Sequence, residues 1–213
     1  MSAFARFAAR TPEEAARRRF GLWAGLGLII LLPLWWVWGA DIAAALLRPL
    51  TSGVLFLTGL TGTINPTAEG DWSVGTRLTQ AGQPLAYIVT DDTLRRLLLG
   101  FPLALAFFLA PPRPARPWVV AGMSILVLSL VFTLSMAAVV WGQLAPMLSP
   151  DLASATMVIT TRPDQPPLPA LAAQVAIVGR YVALSIAPLL TALLLWAVLN
   201  PAGPKTLVAE ITD

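Results

Sequence analysis

Three long apolar segments, at residues 20–40, 118–142 and 175–199, constrain this 213-residue chain more than any other feature. Arg180 is the only charged residue that they contain. Each segment is long enough to cross the hydrocarbon layer of a bilayer, which takes about 20 residues of α-helix. A soluble domain of this length has too little polar sequence to bury all three. We therefore expect an integral membrane protein.

The composition narrows the chemistry that such a protein can perform. Hydrophobic residues make up 57% of the chain and charged residues 12%, with a net charge of +3. Arginines occupy residues 17–19, directly before the first apolar segment, where basic residues set membrane orientation. Because this role explains the positive charge, we expect no nucleic-acid partner. Cysteine and histidine are absent, which excludes disulfides, Cys/His metal sites and nucleophiles activated by histidine. With Asp and Glu scattered, we expect no metal, no cofactor and no catalytic residue, and hence no enzyme.

The chain is expected to begin with a cytoplasmic basic segment at residues 1–19 and a first transmembrane helix at 20–40. Thr11 followed by Pro12 is typical of a helix start. A tryptophan cluster near residue 38 is typical of a membrane–water interface and indicates the far end of the helix. A cleaved signal peptide is the alternative, but the apolar run is long for one and its end is a poor cleavage site.

An extracytoplasmic segment is expected at residues 41–92. Apolar residues within 41–60 fall roughly on one helical face, which predicts an interfacial helix on the outer leaflet; a second, short membrane span at 50–60 is the alternative. Apolar and polar residues then alternate with period two in two runs around a turn at 81–84. This alternation predicts a β-hairpin at 72–90.

The rest of the chain completes a mainly α-helical, polytopic membrane protein with four transmembrane helices. The expected order is a second transmembrane helix at 93–110, a cytoplasmic Pro/Arg turn at 111–117 and a third helix at 118–142. An extracytoplasmic Pro-rich loop at 143–172, a fourth helix at 173–199 and a cytoplasmic tail at 200–213 follow. This topology places eight of the fourteen basic residues and both termini in the cytoplasm, in accord with the positive-inside rule.

Arg180 is the leading candidate for a functional residue, since a charged side chain inside a span usually faces a bundle interior, a polar cavity or a partner. The alternative is that Arg180 lies near the outer end of its helix and reaches the headgroups. Tyr181 and Gln174 extend a polar strip beside it, and Trp72 and Thr76 on the hairpin are further candidates for contact with a partner or ligand.

A pair of carboxylates at Asp91 and Asp92 raises the possibility of acid/base chemistry or cation binding. Their position directly before an apolar helix favours helix capping instead, with the acidic groups at the positive end of the helix dipole.

Three short motifs carry a family resemblance, and they read LPLWWVW at residues 32–38, GFPLALA at 100–106 and GRY at 179–181. The strand at 72–79 and APL at 187–189 add to these motifs. By their order along the chain, the chain resembles the exosortase H-associated membrane protein family over most of residues 17–200. The resemblance implies an accessory role in bacterial inner-membrane protein sorting, beside an exosortase that processes proteins with C-terminal sorting tails. Exosortases use Cys, His and Arg, so the resemblance transfers no catalytic residue to a chain without Cys and His.

Two functional hypotheses follow. In the first, the protein is a non-catalytic partner of an exosortase or of its substrate, embedded in the bilayer and bound through the hairpin and the Arg180 region. In the second, it is a small transporter or lipid-handling protein with a cavity near Arg180, opened by the prolines within its helices.

Overall fold

Residues 12–57 form one long helix with a π-helical segment inside it. The computed structural model describes residues 11–80, 83–149, 151–152 and 168–208. Helix α1 spans Pro12–Leu34, the π-helical segment spans Trp35–Gly39, and helix α2 spans Ala40–Leu57. As predicted, Thr11 caps the start, where its hydroxyl oxygen accepts a hydrogen bond from the Glu14 amide at 3.1 Å.

This helix runs through the boundary that we predicted at residue 40. Its 46 residues give a length of about 69 Å, more than twice the roughly 30 Å of hydrocarbon that a span has to cross. The extra residue of the π-helical turn is accommodated because Gly39 packs against the ring of Trp35, where a Cβ atom would lie 2.5 Å from the ring. Residues 40–57 are helical, and their location at the membrane surface stays a prediction.

A small antiparallel sheet follows α2. Strands β1 (Ile64–Pro66), β2 (Trp72–Gln80) and β3 (Gln83–Val89) lie in the order β1-β2-β3. The paired strands β2 and β3 lie where the hairpin was predicted, and the short strand β1 is an addition to it. Alternate residues of β2, from Trp72 to Leu78, point into the protein, as period-two alternation indicates. Residues 81–82 of the predicted turn lie outside the described ranges.

The predicted second transmembrane helix is divided in two. Helix α3 spans Asp91–Leu97 and helix α4 spans Gly100–Leu109, so each is shorter than the roughly 20 residues that a span requires. Pro102 explains the break, because it has no amide hydrogen to donate to the residue-98 carbonyl and its ring would clash with that carbonyl. The prediction of four transmembrane helices is therefore not confirmed.

The third apolar segment forms one helix and the last forms a bent pair. Helix α5 spans Pro117–Leu148, helix α6 spans Ala170–Ser185, and helix α7 spans Ala187–Leu199. The chain bends by 59° between helices α6 and α7, so the pair is either a broken span or a re-entrant loop. Pro188 favours this bend because it cannot continue the hydrogen bonding of α6. In the described ranges, two helices are long and apolar enough to cross a membrane, or three if the bent pair counts as one span.

One end of the helix assembly collects the basic residues. Phe20 of α1 contacts Trp196 of α7, with ring centroids 5.1 Å apart, and the buried Asn200 side chain donates a 2.7 Å hydrogen bond to the Pro112 carbonyl. The Pro/Arg turn and the short helix α8 (Ala202–Val208) therefore lie near the start of α1. The basic residues at this end are Arg17, Arg18, Arg19, Arg113, Arg116 and Lys205.

The sheet packs on the helices away from the basic end and completes the larger of two apolar clusters. We call this cluster the sheet core. It consists of buried side chains from α2, β2, β3, α3, the C-terminal half of α5 and α6. Its most completely buried large members are Leu55, Val74, Val89, Leu94, Leu98, Phe132, Met136, Val139, Val140 and Leu144. A smaller cluster joins α4, α5 and α7 through Ala104, Leu128, Ala192 and Leu195.

Candidate functional site

Arg180 lies where α6 crosses the C-terminal half of α5 at close range. Gly142 of α5 makes the approach possible: a Cβ atom there would lie 2.5 Å from the Arg180 Cβ and 2.6 Å from the Ala176 carbonyl oxygen. Small residues at such crossings let two helix backbones approach within a membrane. Any larger residue at position 142 would push α6 away, so this glycine fixes the position from which the Arg180 side chain extends.

The Arg180 guanidinium lies beside aromatic and polar groups, and part of it is buried. Its Cζ atom is 6.0 Å from the centroid of the Tyr181 ring, within the range of a cation–π contact. Its Nε atom is buried, and among the residues that the structure describes it has no hydrogen-bond partner. The Oε1 atom of Gln143, next to Gly142, is likewise buried and unpaired among these residues. In the part of the chain that the structure describes, a buried donor on α6 and a buried acceptor on α5 are thus without partners.

The sheet reaches the same crossing through Tyr87 of β3. Burial raises the pKa of the Tyr87 phenol above its usual 10.0, and the positive charge of Arg180 lowers this pKa by a smaller amount. Arg180 is thus close enough for its charge to act on β3. Sequence reasoning missed Tyr87 and Gly142, because they become neighbours of Arg180 only when strand and helices are packed together.

The five candidate residues from the sequence fall into two groups. Arg180 is partly buried, whereas Tyr181 and Gln174 are exposed on α6. Trp72 and Thr76 are 3% and 6% exposed, because both point from β2 into the sheet core. The Trp72 ring meets Phe132 edge to face, and the Thr76 hydroxyl donates to the Leu85 carbonyl. The structure therefore gives Trp72 and Thr76 internal contacts, and a contact with a partner stays a prediction for all five.

Helix α6 presents one continuous exposed face. Gln174 and Tyr181 lie along one edge of this face at a spacing of seven residues, and Gly179, with no atom within 4 Å of where its Cβ would be, lies along the opposite edge. We call this surface the α6 face. Its exposed apolar members, at helical spacing, are Leu171, Val175, Val178 and Val182.

A second polar cluster, centred on Arg95, joins α3 to the long N-terminal helix. Arg95 pairs with Asp91 through Nε at 2.6 Å and with Asp41 of α2 through Nη2 at 2.7 Å. Its Nη1 donates to the carbonyl of Trp36, and its Cζ lies 5.8 Å from the Trp36 ring centroid. Arg95 thus donates to a backbone carbonyl within the π-helical segment. We call this cluster the Arg95 clamp.

The clamp explains the carboxylate pair that the sequence singled out. Thr90, one residue earlier than predicted, caps α3 through its side-chain oxygen, while Asp91 and Asp92 occupy the first helical turn. Asp91 pairs with Arg95, and Asp92 pairs with Arg96 at 2.8 Å, both at i,i+4 spacing. These contacts give both carboxylates a structural role at the start of α3.

An apolar cavity of about 580 Å³ lies between the end of α1, the π-helical segment, α4 and the N-terminal half of α5. Arg180 is not among the residues that line it, so this cavity differs in position from the one that the second hypothesis places near Arg180. We call it the apolar cleft. Its walls include Leu34, Trp35, Phe101, Leu105, Phe108, Trp118, Ala121, Ser124, Ile125 and Leu128.

Comparisons with known proteins identify a family. The sequence profile of the family described as exosortase H-associated membrane protein matches residues 14–203, which contain every helix and strand named above except the start of α1 and most of α8. Neither curated proteins nor solved structures gave a significant match.

Proposed function

Because the chain belongs to the exosortase H-associated membrane protein family, we propose that it is a non-catalytic accessory protein that binds an exosortase through the α6 face. The partner is suggested by the family description, and the binding surface by the exposed residues of α6. The proposed location is the bacterial inner membrane, with both termini in the cytoplasm and the sheet outside.

The observation that carries the proposal is the combination of a small residue with polar groups on an exposed helix face. Lipid tails are as apolar as Leu or Val, so apolar side chains alone do not drive helices together in a bilayer. Close backbone contact at small residues and interhelical hydrogen bonds do so. Gly179 offers an approach with open space above it at one edge of the α6 face, and Gln174 and Tyr181 offer hydrogen-bonding groups along the other edge.

Arg180 adds a reason for a partner at this position. Inserting an arginine at the centre of a membrane helix costs roughly 2.5–3.5 kcal/mol, and less near an end. Its contact with Tyr181 leaves the buried Nε atom without an acceptor among the described residues. Burial keeps that atom out of a partner's reach, so a helix docked beside Gly179 would place an acceptor against the terminal nitrogens of the guanidinium group instead.

The orientation is supported by the charge distribution along the helix assembly. Arginines of the α1 start and of the Pro/Arg turn lie at one end, whereas the sheet packs against α2 toward the other end. The positive-inside rule places the basic end in the cytoplasm.

A glycine pair in the chain provides the test. We expect an exosortase from the same organism to co-purify with the tagged wild-type protein in mild detergent. Gly179→Leu should lower its recovery about tenfold, equivalent to about 1.4 kcal/mol of association free energy, because a leucine holds the partner backbone away. Gly122→Leu is the matched control, since Gly122 is also a helical glycine with no atom within 4 Å of its Cβ position.

Two results would contradict the proposal. One is an exosortase recovery no higher than that of an unrelated membrane protein. The other is an equal loss in Gly179→Leu and Gly122→Leu, which would show that the α6 face has no special part in binding. Recovery of a protein with a sorting tail instead of the exosortase would reassign the α6 face to the substrate.

A further inference from the structure

We propose that the apolar cleft binds one acyl chain of a phospholipid, whose phosphate group contacts Arg113 and Arg116 at the mouth of the cleft. The inference does not depend on the exosortase proposal, since no residue of the cleft belongs to the α6 face. Three properties of the cleft carry it: its length, its opening toward lipid, and the charge at its mouth.

The length of the cleft matches one leaflet. Its walls extend along α5 from Pro117, at the Pro/Arg turn, to Leu128. Eleven residues of helix rise about 16 Å, and half of the roughly 30 Å hydrocarbon layer is about 15 Å. An acyl chain anchored at the turn would therefore reach from the headgroup region to the middle of the bilayer along the cleft.

The cleft is open on one side and closed on the other. Leu105 and Ile125 on its rim are 48% and 58% exposed, so a lipid can enter sideways from the bilayer. Ala104 and Leu128 on its floor are 2% and 5% exposed and belong to the smaller apolar cluster that joins α4, α5 and α7. The ring of Trp35, stacked on Phe101 at 5.5 Å, contributes to the end away from the turn.

The size of the cleft favours an acyl chain over a helix of another protein. A helix is about 10–12 Å across with its side chains, so two turns of one occupy roughly 1,000 Å³. The cleft holds about 580 Å³, which is within the range of about 300–1,000 Å³ in which proteins bind small apolar ligands.

The mouth of the cleft supplies positive charge. Pro114 and Pro117 line the cleft, and they alternate along the chain with Arg113 and Arg116, which are both exposed. The Arg113 Nε donates to the Leu109 carbonyl at 3.4 Å, and neither arginine forms an ion pair within the described part of the chain. Both guanidinium groups are thus free to bind a phosphate, for which arginine provides two parallel donors.

Native mass spectrometry of the detergent-purified protein, supplied with dioleoylphosphatidylglycerol, tests the proposal. We expect a one-to-one lipid complex with the wild type. Ala121→Trp should abolish it, because the indole fills the cleft from α5, and Leu105→Trp should do the same from α4. Leu126→Trp is the control: it adds the same ring to α5 at a position that is 67% exposed and outside the cleft, and it should retain the lipid.

The headgroup contact has a separate test. Dioleoylglycerol has the same acyl chains but no phosphate, and the wild type should bind it more weakly than the phospholipid. The phospholipid should bind about fivefold more weakly for each arginine replaced in Arg113→Gln and Arg116→Gln, the effect of one basic residue near an anionic membrane surface. Arg77→Gln removes an exposed arginine of the sheet and should leave binding unchanged.

Three outcomes would overturn the proposal. The first is wild-type protein without bound lipid. The second is equal retention in Ala121→Trp, Leu105→Trp and Leu126→Trp. The third is a photoreactive amino acid at position 121 that cross-links in membranes to a protein rather than to lipid.

Discussion

Helix α5 passes through two regions that are packed in different ways. Around its C-terminal half, Phe132 and Met136 are 1% and 0% exposed in the sheet core. Along its N-terminal half, Trp118 and Ile125 are 88% and 58% exposed on the rim of the apolar cleft. The same helix is thus a core element at one end and a wall facing lipid at the other.

The packing of the two regions differs because one supports a sheet and the other contains only helices. A sheet of three short strands is marginal on its own and needs a packed apolar face, which the sheet core provides. The Arg95 clamp adds polar contacts that tie α3 to α2 beside it. The cleft region contains only helices, whose backbone hydrogen bonds are satisfied internally, so lipid can occupy a gap there without exposing unpaired backbone groups. Tight packing is therefore required around the sheet core, whereas the helices around the apolar cleft can remain apart.

The largest expected effect is on the free energy of unfolding, when a phenylalanine is replaced by alanine in each of the two regions. Phe132→Ala should lower the free energy of unfolding by about 3 kcal/mol, because it leaves a cavity beneath Trp72 that nothing can fill. Phe108→Ala in the cleft should cost less than about 1 kcal/mol, because lipid or detergent can occupy the space. Denaturant unfolding in one detergent measures both, and equal losses would show that the cleft is as tightly packed as the sheet core.

The next effect concerns two adjacent arginines of α3. Arg95→Ala should destabilise the protein by about 2 kcal/mol, because it removes hydrogen bonds from two carboxylates and the Trp36 carbonyl at a side chain only 13% exposed. Arg96→Ala is the control, since its side chain is 61% exposed and, among the described residues, pairs only with Asp92 at the same i,i+4 spacing. It should change stability by no more than about 0.5 kcal/mol.

Thermal or denaturant unfolding of the two arginine variants distinguishes a clamp from a general charge effect. Similar losses in Arg95→Ala and Arg96→Ala would mean that the contacts across to Asp41 and Trp36 contribute nothing beyond the local pair.

Local patterns in the sequence predicted the parts of the fold that depend on neighbouring residues. Thr11 predicted the helix start, and the alternation from Trp72 to Leu78 predicted a strand with one buried face. Pro102 shows the limit of such reading. A proline within an apolar run either kinks a helix or ends it, and the packing that decides between these outcomes is not encoded nearby.

The functional residues show the same limit more clearly. Arg180 stands out in sequence because it is the one charge in three apolar segments, but its neighbours Gly142 and Tyr87 lie 38 and 93 residues away along the chain. Asp41 and Arg95 are 54 residues apart, and no pattern in the sequence indicates that they form a pair. The apolar cleft was missed for another reason: its walls consist of ordinary membrane-helix residues, so only their arrangement distinguishes it.

The smallest expected effect tests whether Arg180 faces the sheet. The chain has two tyrosines, so the Tyr181→Phe variant isolates the titration of Tyr87. Burial raises the Tyr87 pKa, so its tyrosinate absorbance should appear with a midpoint above 10.0. The folded protein then binds a proton that the unfolded chain has lost. Stability should therefore decline as the pH rises from 10.0 through the folded pKa.

Replacing Arg180 in the same background sharpens this test. Arg180→Gln removes the positive charge that favours the tyrosinate, so the Tyr87 midpoint should move further upward. The upward shift requires Arg180 to lie near β3 in solution, as the crossing at Gly142 places it. A midpoint that does not change would mean that the Arg180 guanidinium points away from the sheet, and one at or below 10.0 in Tyr181→Phe would mean that Tyr87 is not buried against α6. Arg77→Gln, at an exposed position on β2, controls for the loss of one positive charge elsewhere on the sheet.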